Sequence, residues 1–109
     1  ILNRLAKNQR LEMDSTTNYT AAETNIDVHG DNYKADTRWN TYRVSGLPPT
    51  PIATVGEKAL NAMLDPPKGD WLYFITVDQQ GTTKFSATFE EHLRNRKIAC
   101  DNKFLTTGC

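Results

Sequence analysis

The 109-residue chain has no excess of charge: thirteen Lys and Arg residues face thirteen Asp and Glu residues. Without a net basic field, nothing draws it to nucleic acid or an anionic membrane. No apolar run approaches the roughly 18–20 residues that a membrane helix needs, and no stretch of this sequence reads as a signal peptide. There is no Gly-rich phosphate loop and no Gly-x-Ser-x-Gly nucleophile elbow, so neither a nucleotide cofactor nor that hydrolase chemistry is indicated. Histidine is limited to His29 and His92, neither at ligand spacing from a cysteine, which speaks against a zinc site and leaves no metal or other cofactor expected. The two cysteines, Cys100 and Cys109, both fall in the last ten residues. A disulfide there would pin the tail with at best about 2–3 kcal/mol by loop entropy, and two free thiols are the alternative; both stay open. Internal repeats and low-complexity segments are absent.

What is present is local patterning. Ile1, Leu2 and Leu5 share a helical face with no capping residue ahead of them, so residues 1–9 read as the tail of a helix and the chain as the C-terminal part of something longer. Asp14-Ser-Thr-Thr favours a turn over a helix interior, and residues 20–37 read as a long polar loop with one short helical turn. Thr54-Val-Gly-Glu57 has the form of a capping box before Ala59, Leu60, Met63 and Leu64, and Asp65-Pro-Pro ends that helix. Trp71 to Val77 is the strongest strand, Asp78 to Gly81 a turn, and Thr82 to Ser86 the returning arm. Thr88-Phe-Glu-Glu91 is a second capping box, opening a helix expected to turn Phe89 and Leu93 inward and to hold Arg94, Arg96 and Lys97 in its last turn. The fold class is therefore α+β: a small antiparallel sheet with a hairpin (71–86) packed by short helices (1–9, 55–64, 88–100) and the long polar loop (20–37).

Two features invite a chemical reading. Asp14 stands between apolar Leu11 and Met13 and the Ser15-Thr16 turn, where it either closes an Asx-turn or faces a groove. Trp39 and Tyr42 precede a stiffened corner, in which Pro48, Pro49 and Pro51 fix φ and Gly46 is free to take φ > 0. Glu57 and Glu91 are assigned to capping, Glu90 to a solvated helix face, and His29 and His92 to surface or packing.

Taken in order, Asn3-Arg-Leu5, Leu11-x-x-Asp14-x-Thr16, Asn40-Thr-Tyr42, Gly46-Leu-Pro-Pro49-x-Pro-Ile52, Leu72-Tyr-Phe74 and Glu91-His92 resemble the C-terminal half of the YceG-like family. These are the endolytic murein transglycosylases of the MltG type, and the strand and tail look most like actinobacterial members. Ser15, Val55, Lys84 and Leu93 depart from the family pattern outside the central block. The resemblance implies that residues 1–109 are the C-terminal portion of one catalytic domain. In such an enzyme one Glu protonates the glycosidic oxygen and the 6-hydroxyl of N-acetylmuramic acid closes onto C1. That Glu is expected upstream of Ile1, so this chain should lack a catalytic residue and be inactive alone. Asp14, Thr16, Asn40, Thr41 and Tyr42 are expected to line the substrate groove, and Gly46, Leu47, Pro48 and Pro49 to shape its wall. Asn40 and Thr41 would bond acetamido or hydroxyl groups, and Tyr42 would pack under a sugar face.

The implied partners are peptidoglycan glycan strands and the cell-wall synthesis machinery. Membrane contact would come only through a helix preceding this soluble piece, on the extracytoplasmic face of the cell membrane. A non-catalytic glycan-binding or scaffold module is the rival reading, and a polyproline ligand at Pro48-x-x-Pro51 a third.

Overall fold

A computed structural model describes residues 1–20 and 32–109. Its elements are α1 (Leu2–Ala6), α2 (Asp14–Thr20), a 3-10 turn (Asn32–Lys34), α3 (Glu57–Leu64), β1 (Tyr73–Thr76), β2 (Thr83–Ser86) and α4 (Phe89–Asp101). The architecture is α+β. By contacts the chain divides into Ile1–Pro67 and Lys68–Cys109.

The first unit is organised by polar residues. Leu11 is its buried apolar anchor, and around it Thr16, Thr17, Asn18, Asn40 and Thr41 are all nearly inaccessible. The helix α1 is shorter than the expected 1–9, because Asn8 takes φ 55° and the chain leaves the helical track there. Asn tolerates that left-handed conformation better than most residues.

The helix α2 corrects the turn expected at Asp14. Asp-Ser-Thr-Thr-Asn-Tyr-Thr has poor intrinsic propensity, and tertiary docking overrides it. Thr16 and Thr17 bend their hydroxyls back to the Met13 carbonyl, at 2.9 and 3.4 Å, so neither competes destructively with the ladder. Asp14 sits in the first turn, the favourable end of the helix dipole.

Of the expected loop 20–37, Thr20 closes α2 and residues 32–34 form the 3-10 turn. Residues 21–31, with His29, lie outside the described residues. Further on, the capping box expected at Thr54 does not form. The helix α3 starts two residues later, with Gly56 as its N-cap and no side-chain cap. Glu57 is therefore a first-turn residue and not a capping one.

The second unit pairs β1 with β2 antiparallel, in the register Tyr73↔Ser86, Phe74↔Phe85, Ile75↔Lys84 and Thr76↔Thr83. Asp78 builds the turn: its carboxylate accepts the amides of Gln80 and Thr82 at 3.0 and 2.9 Å, and Gly81 supplies φ 83°. These hydrogen bonds, from Thr82 first, hold the Asp78 pKa below its ordinary value.

The capping box at the start of α4 is present as expected. Thr88 Oγ1 accepts the Glu91 amide, and the Glu91 carboxylate accepts the amides of Ala87 and Thr88. At its other end α4 continues to Asp101 and closes in a Schellman turn. Phe104 donates to Ala99 O and Lys103 to Cys100 O, both at 2.9 Å, while Lys103 takes φ 58° where glycine is usual. This later stop leaves Arg94, Arg96 and Lys97 in mid-helix and no basic residue in the last turn.

The buried residue of α4 is Ala99, packed with Val77 and Leu105 and flanked by Ile75, Cys100 and Phe104. Phe89 and Leu93 correct the inward assignment: both are exposed. They lie about two to three turns from the Ala99 contact, and the Phe89 ring lies beside those of Tyr73 and His92 at 5.8 and 6.1 Å. Cys100 and Cys109 are joined in a disulfide.

Candidate functional site

The chemistry-bearing residues of the first unit gather where residues 11–17 meet residues 40–42. The junction is locked by a closed ring of hydrogen bonds. The Met13 amide donates to Thr41 Oγ1 at 2.9 Å, Thr16 Oγ1 donates to Met13 O, and the two hydroxyls lie 2.8 Å apart. With the Thr16 hydrogen committed to Met13, Thr41 must donate to Thr16. Each hydroxyl then serves once as donor and once as acceptor. The Glu12 amide adds a bond to Thr41 O at 3.2 Å, which helps hold Glu12 at φ 51°, a left-handed conformation uncommon for glutamate.

Asn40 is the second lock. Its Nδ2 donates to the carbonyls of Tyr33 and Ala35 at 2.9 and 2.8 Å. Its Oδ1 accepts from Thr17 Oγ1 and the Tyr42 amide at 3.0 and 3.1 Å. That is the full capacity of an amide side chain, two donors and two lone pairs. It also fixes which end is oxygen, since only the nitrogen can face two carbonyls.

The outcome of this framing is a half-buried pair, Asp14 and Tyr42. The Tyr42 hydroxyl donates to Asp14 Oδ1. Burial, then the hydrogen bond to Asp14 and the charge of Asp14, push the Tyr42 pKa above its ordinary value near 10. The phenol is therefore a fixed donor at neutral pH. Because the folded chain holds this proton more tightly than the unfolded chain, the contribution of Tyr42 to stability is fully present below about pH 10 and is lost as pH rises beyond it. Tyr42→Phe is expected to flatten that alkaline fall, as read from urea midpoints between about pH 9 and pH 11. An unchanged slope would rule the coupling out.

Two arginines complete the frame, and sequence patterning did not single either out. Arg4 reaches from α1 to the carbonyls of Arg10 and Leu11 at 2.8 and 3.1 Å and pairs with Glu12 at 3.6 Å. Arg10 donates to the Tyr42 carbonyl at 3.2 Å. A fork of guanidinium donors suits a site with several backbone carbonyls to satisfy. The available signal was Arg4 itself, a charged residue inside the Asn-Arg-Leu motif.

The corner behaves as a separate piece. Gly46 takes φ 85°, Pro48 is half-buried, and Leu47 and Pro49 are exposed. Among the described residues Gly46–Pro49 share no hydrogen bond with the Asp14–Tyr42 cluster. The tie lies just beyond, where Trp39 Nε1 donates to Thr50 Oγ1 at 3.0 Å. Trp39 is itself flanked by Tyr19, with ring centroids 6.2 Å apart, and by the Arg38 guanidinium. The structure thus brings Asp14, Thr16, Asn40, Thr41 and Tyr42 together, and places Gly46 to Pro49 beside them in sequence without a direct bond.

Outside this cluster, His92 is a packing residue, stacked on Tyr73 at 5.3 Å. No group of three or more His, Cys, Asp or Glu able to hold a metal occurs among the described residues. No helix of the described residues is long and apolar enough to cross a membrane.

Comparison with known proteins shows the family. The family whose model matches is the YceG-like family, over residues 1–98. The chain is 38% identical over 101 residues to the endolytic murein transglycosylase of Bacillus subtilis, covering 93% of this chain and 28% of that protein. A crystal structure of a putative YceG-like protein from Listeria monocytogenes superposes with a TM-score of 0.78 at 40% identity, covering 85% of this chain and 30% of that one. The chain thus spans less than a third of the length of either relative.

Proposed function

The chain belongs to the YceG-like family, and from that premise we propose that it forms the substrate-groove part of an endolytic peptidoglycan transglycosylase. The observation that carries this reading is the Asp14–Tyr42 pair, held half-exposed on a frame whose own hydrogen bonds are already satisfied. With the phenol hydrogen held by Asp14, such a pair presents acceptor oxygens at fixed positions to the hydroxyl and acetamido N–H groups of a glycan. Preorganisation of this kind is what alignment of a single acid with a single glycosidic oxygen demands. Asn40, Thr41 and Thr16 serve that alignment by setting the frame. The corner Gly46–Pro49, with exposed Leu47, forms the wall along which the strand lies.

The general acid is a Glu outside this chain. In support, the glutamates among the described residues are engaged or remote: Glu12 with Arg4, Glu90 with Arg94, Glu91 in its cap and Glu57 exposed on α3. In the reaction that Glu gives its proton to the oxygen leaving C1 of N-acetylmuramic acid. The 6-hydroxyl then attacks C1 and returns its proton to the Glu, leaving a 1,6-anhydro end and consuming no water. Strand trimming or termination on the extracytoplasmic face, by a membrane-anchored whole protein working beside the cell-wall synthesis machinery, fits this chemistry. The reading treats residues 1–109 as the C-terminal portion of one catalytic domain.

The test compares this chain with one extended N-terminally through the preceding helix, on purified glycan strands. Anhydro ends are expected only from the extended chain. In that chain Asp14→Asn and Tyr42→Phe should lower turnover about 10- to 100-fold, the scale of a lost orienting contact. Product from the 109-residue chain, or full turnover in both variants, would remove the proposal.

A further inference from the structure

The helix α1 carries no buried residue, and Leu2 on its apolar face is 50% exposed. Five residues close too few hydrogen bonds to fix a helix by themselves. The direction of α1 is therefore set by contacts that reach out of it, among them three made by Arg4. Its Nη1 donates to Arg10 O and Leu11 O at 2.8 and 3.1 Å and lies 3.6 Å from the Glu12 carboxylate. The Arg4 side chain is only 12% exposed, so these bonds replace hydration that the guanidinium has given up.

The strip that Arg4 grips is bonded in turn to the site. Arg10 Nη1 donates to Tyr42 O at 3.2 Å, the Glu12 amide to Thr41 O at 3.2 Å, and the Met13 amide to Thr41 Oγ1 at 2.9 Å. Residues 10–13 thus carry α1 through Arg4 and hold Thr41 and Tyr42 through their own amides and the Arg10 side chain. The charge of Arg4 is also felt at the phenol: burial and Asp14 raise the Tyr42 pKa, and Arg4 pulls against them.

We propose that Arg4 is a positioning residue for transglycosylation: it aligns α1, and the chain leading into it, with the Asp14–Tyr42 pair. The inference rests on the proposed function, which puts the general acid upstream of Ile1. An acid one or two helical turns ahead of α1 lies about 5–11 Å along the axis. Over about 10 Å a tilt of about 10° displaces it by about 2 Å, and misplacement by about 1 Å can cost about 100-fold in rate. A helix held by side-chain bonds, with no buried face, is where such a tilt enters.

The test is saturation kinetics of the full-length protein on purified glycan strands, read as anhydro ends. Thermal midpoints are recorded for each variant, and assays are run well below them. Arg4→Gln is expected to lower kcat about 10- to 100-fold and leave KM within about twofold. KM holds because Thr16, Thr17, Asn40 and Thr41 keep their own bonds. Arg4→Lys keeps the charge on a side chain one bond shorter, and should lower kcat about 3- to 10-fold at the same KM. It decides the matter if Arg4→Gln does not fold. A structural role alone gives a different pattern: a lower midpoint with kcat per folded molecule unchanged, or kcat and KM impaired together as the groove deforms. Either pattern, or wild-type kcat in either variant, would overturn the inference and leave the proposed function standing. A wild-type protein that yields no anhydro ends would remove both.

Discussion

Asn40→Ala is expected to destabilise the first unit by about 3–5 kcal/mol, enough to consume most of the stability a small unit possesses. The figure follows from what the truncation leaves behind. The carbonyls of Tyr33 and Ala35 lose their donors, and Thr17 Oγ1 and the Tyr42 amide lose their acceptor. Each stranded buried group costs about 1–3 kcal/mol, with water recovering part of it. Asn40→Asp separates packing from hydrogen bonding. It keeps shape and both acceptances at Oδ1, but turns a second oxygen toward two carbonyl oxygens, so it should cost nearly as much. Trp39 lies next door in the same unit, and urea titration of its fluorescence, with Trp71 replaced by Phe, reads both variants. A loss below about 1 kcal/mol in either, the worth of one ordinary bond, would show that Asn40 is not the lock. The expected large loss bears on the proposed function, because a glycan-binding defect in an Asn40 variant then reports a collapsed frame and not a missing sugar contact.

The parts that could be read from sequence were those decided by local chemistry. The hairpin, its Asp78–Gly81 turn and the Thr88–Glu91 box all rest on contacts within a few residues, and they stand where expected. The helix α2 was hidden because no periodicity or propensity marks Asp-Ser-Thr-Thr-Asn-Tyr-Thr. It exists because Thr16 and Thr17 find Thr41 and Asn40 across more than twenty residues of chain. The false box at Thr54 shows the converse. The Ser/Thr-x-x-Glu pattern is permissive, and here the chain remains non-helical as far as Gly56, so Thr54 never faces the amides it would cap.

Of the candidate site, the sequence marked residues that meet in the structure but not which of them are buried. Asp14, Thr16, Asn40, Thr41 and Tyr42 do converge, but polarity alone does not tell a buried lock from an exposed contact. Asn40 and Thr41 prove inaccessible, while Asp14 and Tyr42 stay half open. Only the count of donors and acceptors at each side chain separates the two roles.

Removing the disulfide by the paired change Cys100→Ser and Cys109→Ser is expected to cost the second unit about 2–3 kcal/mol, the loop-closure entropy of a ring of about ten residues. The unit runs only from Lys68 to Cys109, near the size below which a hydrophobic core seldom suffices without a staple. Its core is correspondingly slight: Val77, Ala99 and Leu105. Leu105 lies within the segment that the bond closes, so the staple limits the freedom of a core residue as well as of the tail. Opposing this, the Schellman turn at Lys103 and the bond from Asn102 Nδ2 to Val77 O already direct the chain back toward β1. If those contacts alone hold Leu105 in place, the double variant will unfold at the same denaturant midpoint as the oxidised chain. If the covalent link is required, the midpoint will fall, Trp71 fluorescence will report it, and reduced wild-type chain will match the variant. The second result is expected, because a single helix turn and one amide bond do not replace the entropy that the ring removes from the unfolded state. It would also mean that the unit reaches full stability only in an oxidising compartment.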